Sequence, residues 1–100
     1  MNTLSNTPST PTAGPRIALV TGASRGIGAA IARRLATDGA RLVLHYGSGK
    51  AETESLAAEL RDAGTKVDVV QADLALPDGG PQLVAAVRRL GLPRIDILVN

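Results

Sequence analysis

Short aliphatic runs alternate with segments of helical periodicity along most of this sequence, and that alternation limits the fold more than any other feature. The runs cover residues 17–20, 42–44, 67–71 and 95–99. They are short and mostly apolar, as expected for strands that are buried on both faces of a sheet. Strands joined by intervening helices run parallel and are connected by right-handed crossovers. The pattern therefore predicts the element order β-α-β-α-β-α-β.

The segments between the strands have the residue spacing of amphipathic helices. In the first segment Ile27, Ile31 and Leu35 recur every four residues, so we expect them to form one apolar stripe. Gly39 stands where such a helix would end. The other two helices are predicted over residues 51–63 and from about residue 81 to residue 91.

These elements predict an α/β fold, a doubly wound parallel sheet of the Rossmann type with the strand order 3-2-1-4. In that order strands 1 and 4 flank the switch point, where a ligand enters at the carboxyl ends of the strands. Strand 4 would be an uncovered apolar edge if the sheet ended at Asn100. We therefore expect residues 16–100 to be the first part of a longer sheet, truncated after strand 4.

Residues 1–15 differ in composition from the rest of the chain. They carry no charged side chain, and only Met1, Leu4 and Ala13 are apolar. Little burial could offset the entropy of ordering them, so we predict a disordered tail. A basic start followed by an apolar stretch is missing, and no run approaches the ~18 apolar residues of a membrane span. We therefore expect a cytoplasmic protein with no membrane partner.

Composition excludes several kinds of chemistry within these 100 residues. There is no cysteine and one histidine, which excludes a thiolate nucleophile and leaves no ligand set for a zinc site. The net charge is +2. The arginine pairs at residues 33–34 and 88–89 fall near predicted helix C-termini, where cations are favoured on a solvated face. We expect no metal site and no nucleic-acid partner.

A glycine-rich turn, TGASRGIG at residues 21–28, joins the first strand to the first helix. Gly22 permits a tight exit from the strand, Gly26 removes a Cβ that would block a pyrophosphate, and Gly28 lets the helix pack closely. The free N–H groups and the positive end of the helix then favour phosphate charge. Three glycines at this spacing also occur in simple turns, but a strand before them and a helix after them favour a dinucleotide site.

Three motifs in this order resemble those of the short-chain dehydrogenase/reductase family. They are TGxxxGxG at residues 21–28, Asp73–Leu74 after the third strand, and DILVN at residues 96–100. Over residues 16–100 the sequence is similar in particular to the 3-oxoacyl-acyl carrier protein reductase branch. The resemblance implies hydride transfer between a nicotinamide cofactor and a carbonyl or alcohol carbon of a small molecule. It also implies a homotetramer formed through later helices.

The resemblance also assigns cofactor roles to single residues. Asp73 would hydrogen-bond the adenine amine with Leu74 against the ring, although a strand-end cap or a turn residue is the alternative for Asp73. Asn100 would begin the family's Asn-Asn-Ala-Gly motif and either contact the cofactor or tie strands together. The residues that would line the phosphates and ribose are Gly22, Ser24, Arg25, Gly26, Ile27 and Gly28.

The end of the second strand indicates which nicotinamide cofactor fits. An NAD site places a carboxylate there, about 20 residues past the glycines, to accept hydrogen bonds from the ribose 2′-hydroxyl. Residues 45–48 read His-Tyr-Gly-Ser and contain no acid. Arg25 and Ser48 would suit a 2′-phosphate. We predict NADP(H), with His45 and Ser48 as part of the site; the alternative for Arg25 is a solvated loop residue.

Tyr46 and Lys50 have the Tyr-x-x-x-Lys spacing of the family's catalytic pair, in which the phenol acts as general acid. That spacing needs a helix, which Gly47 and Gly49 disfavour. We therefore predict no catalytic residue in this chain: the Ser, Tyr and Lys are expected after Asn100, and residues 1–100 alone should be inactive.

Parts of this sequence also resemble motifs of other classes of protein. Residues 47–50 suggest a P-loop, but Leu44 stands where its first glycine belongs and Ala51 replaces the Ser or Thr that binds magnesium. An epimerase or dehydratase would show a more compact Gly-x-x-Gly-x-x-Gly motif. The alternative that stays open is a non-catalytic NADP(H)-binding sensor or scaffold. A serine followed by Tyr-x-x-x-Lys after Asn100 would favour the enzyme.

Overall fold

A computed structural model describes residues 15–100 of the chain. The predicted tail therefore lies outside the described residues, except for Pro15, which is exposed and irregular. The described elements follow one another in the predicted order: β1 Ile17–Val20, α1 Gly26–Thr37, β2 Arg41–Tyr46, α2 Lys50–Asp62, β3 Val67–Gln71, α3 Gly79–Arg89 and β4 Ile97–Val99.

The four strands form one parallel sheet in the order β3-β2-β1-β4, which confirms the predicted order. Leu19 of β1 is paired with Val43 of β2 on one side and with Leu98 of β4 on the other. Because all four strands run in the same direction, the loops that follow them meet at one edge of the sheet. This edge is called the carboxyl edge below, and it carries the candidate site.

Apolar layers cover both faces of the sheet. One layer contains Val20 and Leu44 and packs against alanines and leucines of α1 and α2. The other contains Leu19 and Val43 and packs against partly buried residues of α3. Neighbouring residues of one strand point to opposite faces, which is why residues 17–20 of β1 and 42–44 of β2 are all apolar. Helices on both faces make the sheet doubly wound.

The buried face of α1 differs from the predicted stripe. Its buried residues are Ala29 and Ala32, with Leu35 packed against the same core. Ile27 is 79% exposed, so its assignment to the core stripe was wrong. Ile27 belongs to the first turn of α1, which lies over the loop after β1 rather than over a strand.

Strands β1 and β3 have the predicted bounds, whereas boundaries of the other elements shifted by one or two residues. Helix α3 begins at Gly79, so Pro81 lies in its first turn, where a missing N–H costs no hydrogen bond. Strand β4 contains three residues, and Asp96, which directly precedes it, contacts the start of β1. Its N–H donates to the Ile17 carbonyl at 2.8 Å, and its carboxylate Oδ2 accepts from the Ile17 N–H at 2.8 Å.

None of the helices within residues 15–100 has the length and apolar character that crossing a membrane requires.

Candidate cofactor-binding site

The glycine loop between β1 and α1 contains two residues in the left-handed region. The φ angles are 62° at Gly22 and 64° at Gly26, a conformation that other residues rarely adopt. No heavy atom lies within 4 Å of a Cβ built on either residue. Backbone conformation, rather than crowding by protein atoms, therefore requires glycine here, and the space beside Gly26 is open to a ligand.

Gly28 is required for a different reason, which is close packing. A Cβ built on Gly28 would overlap the carbonyl oxygen of Gly22 and lie 3.1 Å from its carbonyl carbon and 3.3 Å from Ala23 Cα. These are backbone atoms, so they cannot rotate aside as a side chain would. The first turn of α1 thus rests directly on the loop that leaves β1.

The N-terminus of α1 suits an anion. Arg25 is the N-cap residue, its side chain makes no capping hydrogen bond, and the first turn contains no acidic residue. Arg25 and Ile27 are exposed beside this end of the helix. Free N–H groups and the positive end of the helix dipole favour a phosphate at such a position.

His45 occupies a place that the sequence did not predict. Its side chain is 3% exposed and both ring nitrogens bind backbone groups. Nδ1 accepts from the Gly22 N–H at 3.1 Å, and Nε2 lies 2.8 Å from the Ala72 carbonyl oxygen. The sequence placed His45 in the cofactor site; because both ring nitrogens have backbone partners, a role there would be indirect.

The turn from β2 to α2 packs against the glycine loop. Gly49 has a φ of 85°, and a Cβ built on it would lie 2.8 Å from the Cβ of Ser24. Ser48 is exposed in this turn, and α2 begins directly afterwards at Lys50. The acid nearest along the chain is Glu52, whose Oε1 lies 3.4 Å from that Cβ position. The predicted residues Ser24 and Ser48 thus stand on neighbouring loops.

The same turn confirms that Tyr46 and Lys50 do not form a helical Tyr-x-x-x-Lys pair. Tyr46 is the last residue of β2, whereas Lys50 is the first residue of α2. Glycines and Ser48 separate them in a turn.

Asp73 and Leu74 follow β3 in a tight turn at the carboxyl edge. Asp73 Oδ1 accepts from the Ala75 N–H at 3.0 Å, and the Asp73 carbonyl accepts from the Leu76 N–H at 3.1 Å. A Cβ on Gly79 would overlap the Asp73 carbonyl oxygen, as one on Gly28 would overlap that of Gly22. Asp73 therefore acts as a turn residue, and its Oδ2 is the oxygen left for a ligand amine. Leu74 is 45% exposed.

Asn100 lies beside the start of the glycine loop. The Thr21 N–H donates to the Val99 carbonyl at 2.9 Å. The Thr21 hydroxyl lies 3.1 Å from the same carbonyl and 3.0 Å from Asn100 Oδ1, so its single proton serves one of them at a time. These contacts link β4 to the glycine loop, and contact of Asn100 with the cofactor stays a prediction.

The sequence model of one protein family, described as short chain dehydrogenase, matches residues 16–100. The chain belongs to the short-chain dehydrogenase family.

Relatives and solved structures agree with this membership. An uncharacterised oxidoreductase of Methylorubrum extorquens is 48% identical over 86 residues, which are 85% of this chain and 34% of that protein. The 3-oxoacyl-[acyl-carrier-protein] reductase of Synechocystis is 40% identical over 85 residues, again 85% and 34%. The Pseudomonas aeruginosa RhlG/NADP active-site complex has a TM-score of 0.77 and 39% identity, covering 87% of this chain and 34% of that one.

The chain therefore spans about a third of the length of the curated relatives it matches. The edge described above is the candidate nucleotide site of this chain. Sequence reasoning found its glycines but missed Thr21, the packing of Gly49 on Ser24 and the packing of Gly79 on Asp73. A hydroxyl at the end of β1 and the Asp-Gly-Gly run at residues 78–80 were the available signals.

Proposed function

We propose that this chain is the N-terminal, cofactor-binding part of an NADP(H)-dependent reductase, with residues 16–100 as its nucleotide-binding domain. The whole protein would transfer a hydride between the nicotinamide and a carbonyl or alcohol carbon of a small molecule, in the manner of a 3-oxoacyl reductase. The observation that carries the proposal is the open N-terminus of α1, which follows a loop with two left-handed glycines at the carboxyl edge of a doubly wound sheet.

The pyrophosphate would be held at this helix end. A helix N-terminus carries the equivalent of roughly half a positive charge and several N–H groups without intrahelical partners. Gly26 and Ile27 begin α1, and no acid in its first turn would oppose the phosphates. The exposed Ile27 side chain would then cover apolar parts of the cofactor instead of entering the core.

The 2′-phosphate would be held where the β2–α2 turn meets the glycine loop. Arg25 would supply a cation, Ser48 a hydroxyl donor, and Lys50 a second cation at the start of α2. Residues 45–49 contain no carboxylate that would repel the phosphate. The structure of RhlG, whose description names NADP, supports the same choice.

The adenine would lie against Leu74 with its amine near Asp73, and Asn100 would stand at the inner end of the site. When bound, NADPH supplies the hydride. The protein residues that handle the substrate, a Ser, a Tyr and a Lys, are proposed for the part of the protein after Asn100. We also propose a homotetramer, as the family resemblance implies, working in the cytoplasm, where NADPH serves reductive metabolism.

The cofactor proposal can be tested with two arginine variants of α1 and its cap. Arg25→Ala removes the cation beside the loop, and Arg34→Ala removes an exposed arginine whose Nε lies 3.4 Å from Asp38, near the other end of α1. Both change the charge by one unit. We expect Arg25→Ala to weaken NADPH binding about tenfold, the loss typical of one charge-assisted hydrogen bond, and to leave NADH binding within about twofold.

Isothermal titration of the purified protein with NADPH and NADH would measure both constants. Tighter binding of NADH than of NADPH to the unchanged protein would reject the NADP(H) assignment. An equal loss of NADPH affinity in both variants would show that Arg25 acts only through general charge. NADPH binding without carbonyl-dependent oxidation by a protein that includes the residues after Asn100 would favour a sensor over an enzyme.

A further inference from the structure

His45 is the one described residue through which the glycine loop is joined to both β2 and β3. Two successive N–H groups of the loop donate to it: Gly22 to the ring Nδ1 at 3.1 Å, and Ala23 to the main-chain oxygen at 2.9 Å. On its far side the ring binds the Ala72 carbonyl, just after β3, at 2.8 Å.

These partners determine the form of the ring. The Gly22 amide can only donate, so Nδ1 must carry a lone pair, whereas the Ala72 carbonyl can only accept, so Nε2 must carry the proton. The ring is therefore neutral. A side chain that could accept only or donate only would satisfy one of the two neighbours and leave the other buried without a partner.

The Gly22 bond leads directly to the helix end where we place the pyrophosphate. The carbonyl of Gly22 lies so near Gly28 of α1 that a Cβ on Gly28 would overlap it, and Ala23 is completely buried. A shift of Gly22 therefore displaces the first turn of α1 as well. Binding of a phosphate by helix N–H groups depends on their position, because hydrogen bonds weaken steeply when distance or angle is lost.

We propose that His45 is a positioning residue for cofactor binding: its ring acceptor holds Gly22 and thereby sets the position of the pyrophosphate-binding end of α1. The proposal rests on the proposed function, since it presupposes that a dinucleotide binds at that end. His45 does not itself touch the cofactor. Its effect should therefore fall on ligands whose phosphates reach this helix end and spare ligands that have no phosphate.

Two substitutions separate the two hydrogen bonds of the ring, the one to Gly22 and the one to Ala72. In His45→Asn, Oδ1 is as many bonds from the backbone as Nδ1 and can accept from Gly22, but the bond to Ala72 is lost. In His45→Gln, Nε2 is as far along the side chain as the histidine Nε2 and can donate to Ala72, but the acceptor for Gly22 is lost. Each variant gives up one buried hydrogen bond, so we expect comparable losses of thermal stability.

Cofactor affinity should separate the two variants. By titration calorimetry we expect NADPH to bind His45→Asn within about twofold of the unchanged protein and His45→Gln about tenfold more weakly, as for one lost hydrogen bond. Adenosine, which has no phosphate and would contact only Asp73 and Leu74, should bind all three proteins equally. A merely structural role would lower the affinity of both variants together with their stability.

Equal NADPH affinities of the two variants would overturn the proposal, and so would a tenfold loss in His45→Asn. The second result decides the matter even if His45→Gln does not fold. Failure of the unchanged protein to bind either NADPH or adenosine would instead reject the proposed function, and this inference with it.

Discussion

Replacing Gly28 by alanine tests whether the first turn of α1 is set by backbone contact with the glycine loop. The added methyl group would overlap the Gly22 carbonyl oxygen and lie 3.1 Å from its carbon. Gly22 cannot move away from the added methyl group freely, because its own N–H and that of Ala23 both donate hydrogen bonds to His45. Relief of the overlap therefore requires either α1 to move outward or these hydrogen bonds to stretch.

The expected change in the free energy of unfolding follows from opposing contributions. Alanine in a helix is favoured over glycine by about 1 kcal/mol. Overpacking against rigid neighbours costs about 1–3 kcal/mol, and weakening two hydrogen bonds adds about 1 kcal/mol. The steric contribution exceeds the gain in helix propensity, so we expect Gly28→Ala to lower the stability by about 2 kcal/mol.

Gly80→Ala is the matched control. Gly80 also lies in the first turn of a helix, α3, but no heavy atom is found within 4 Å of its added Cβ. Without overlap only the helix propensity changes, so this variant should be more stable by up to ~1 kcal/mol. The two glycine-to-alanine changes are therefore expected to have opposite signs.

Urea denaturation of both variants, monitored by far-ultraviolet circular dichroism, would measure these changes in unfolding free energy. The dependence of that free energy on urea concentration should be the same in both variants. NADPH affinity should also fall in Gly28→Ala and remain unchanged in Gly80→Ala. A Gly28→Ala protein as stable as the unchanged one would refute the reasoning, because it would show that the loop yields to the methyl group at no cost.

Two further predictions concern the ties between β1 and β4. Thr21→Val removes the hydroxyl beside Val99 and Asn100 and should cost about 1 kcal/mol in urea denaturation, whereas Thr21→Ser should cost less than half of that. The pKa of Asp96 is lowered, chiefly by the hydrogen bond from the Ile17 N–H. Its ionised form therefore stabilises the fold at neutral pH, and this contribution is lost as the pH falls through its lowered pKa. Thermal melts between about pH 7 and pH 3 should show a flatter acid decline for Asp96→Asn; an unchanged slope would count against the assignment.

Much of the fold was predictable because it depends on local patterns. The apolar runs and helical periods predicted all seven elements, and parallel strands linked by helices predicted the order β3-β2-β1-β4. The glycines of the loop were equally visible, since Gly22 and Gly26 adopt conformations that few other residues can take. Periodicity failed at Ile27, which was predicted in the core but is exposed. Residue spacing defines a helix face without showing which turn of the helix lies over the sheet.

The sequence by itself determined the order of the elements and the glycine-rich turn after β1, because backbone conformation and burial depend on residue types over short stretches of chain. Only the tertiary structure decided what His45, Asn100 and Gly49 do. Their partners, Gly22, Thr21 and Ser24, are distant along the chain and are brought near by the register of the sheet. A hydrogen bond or close contact between such residues depends on that register, so the sequence could place His45 in the cofactor site without showing that its ring contacts Gly22 and Ala72.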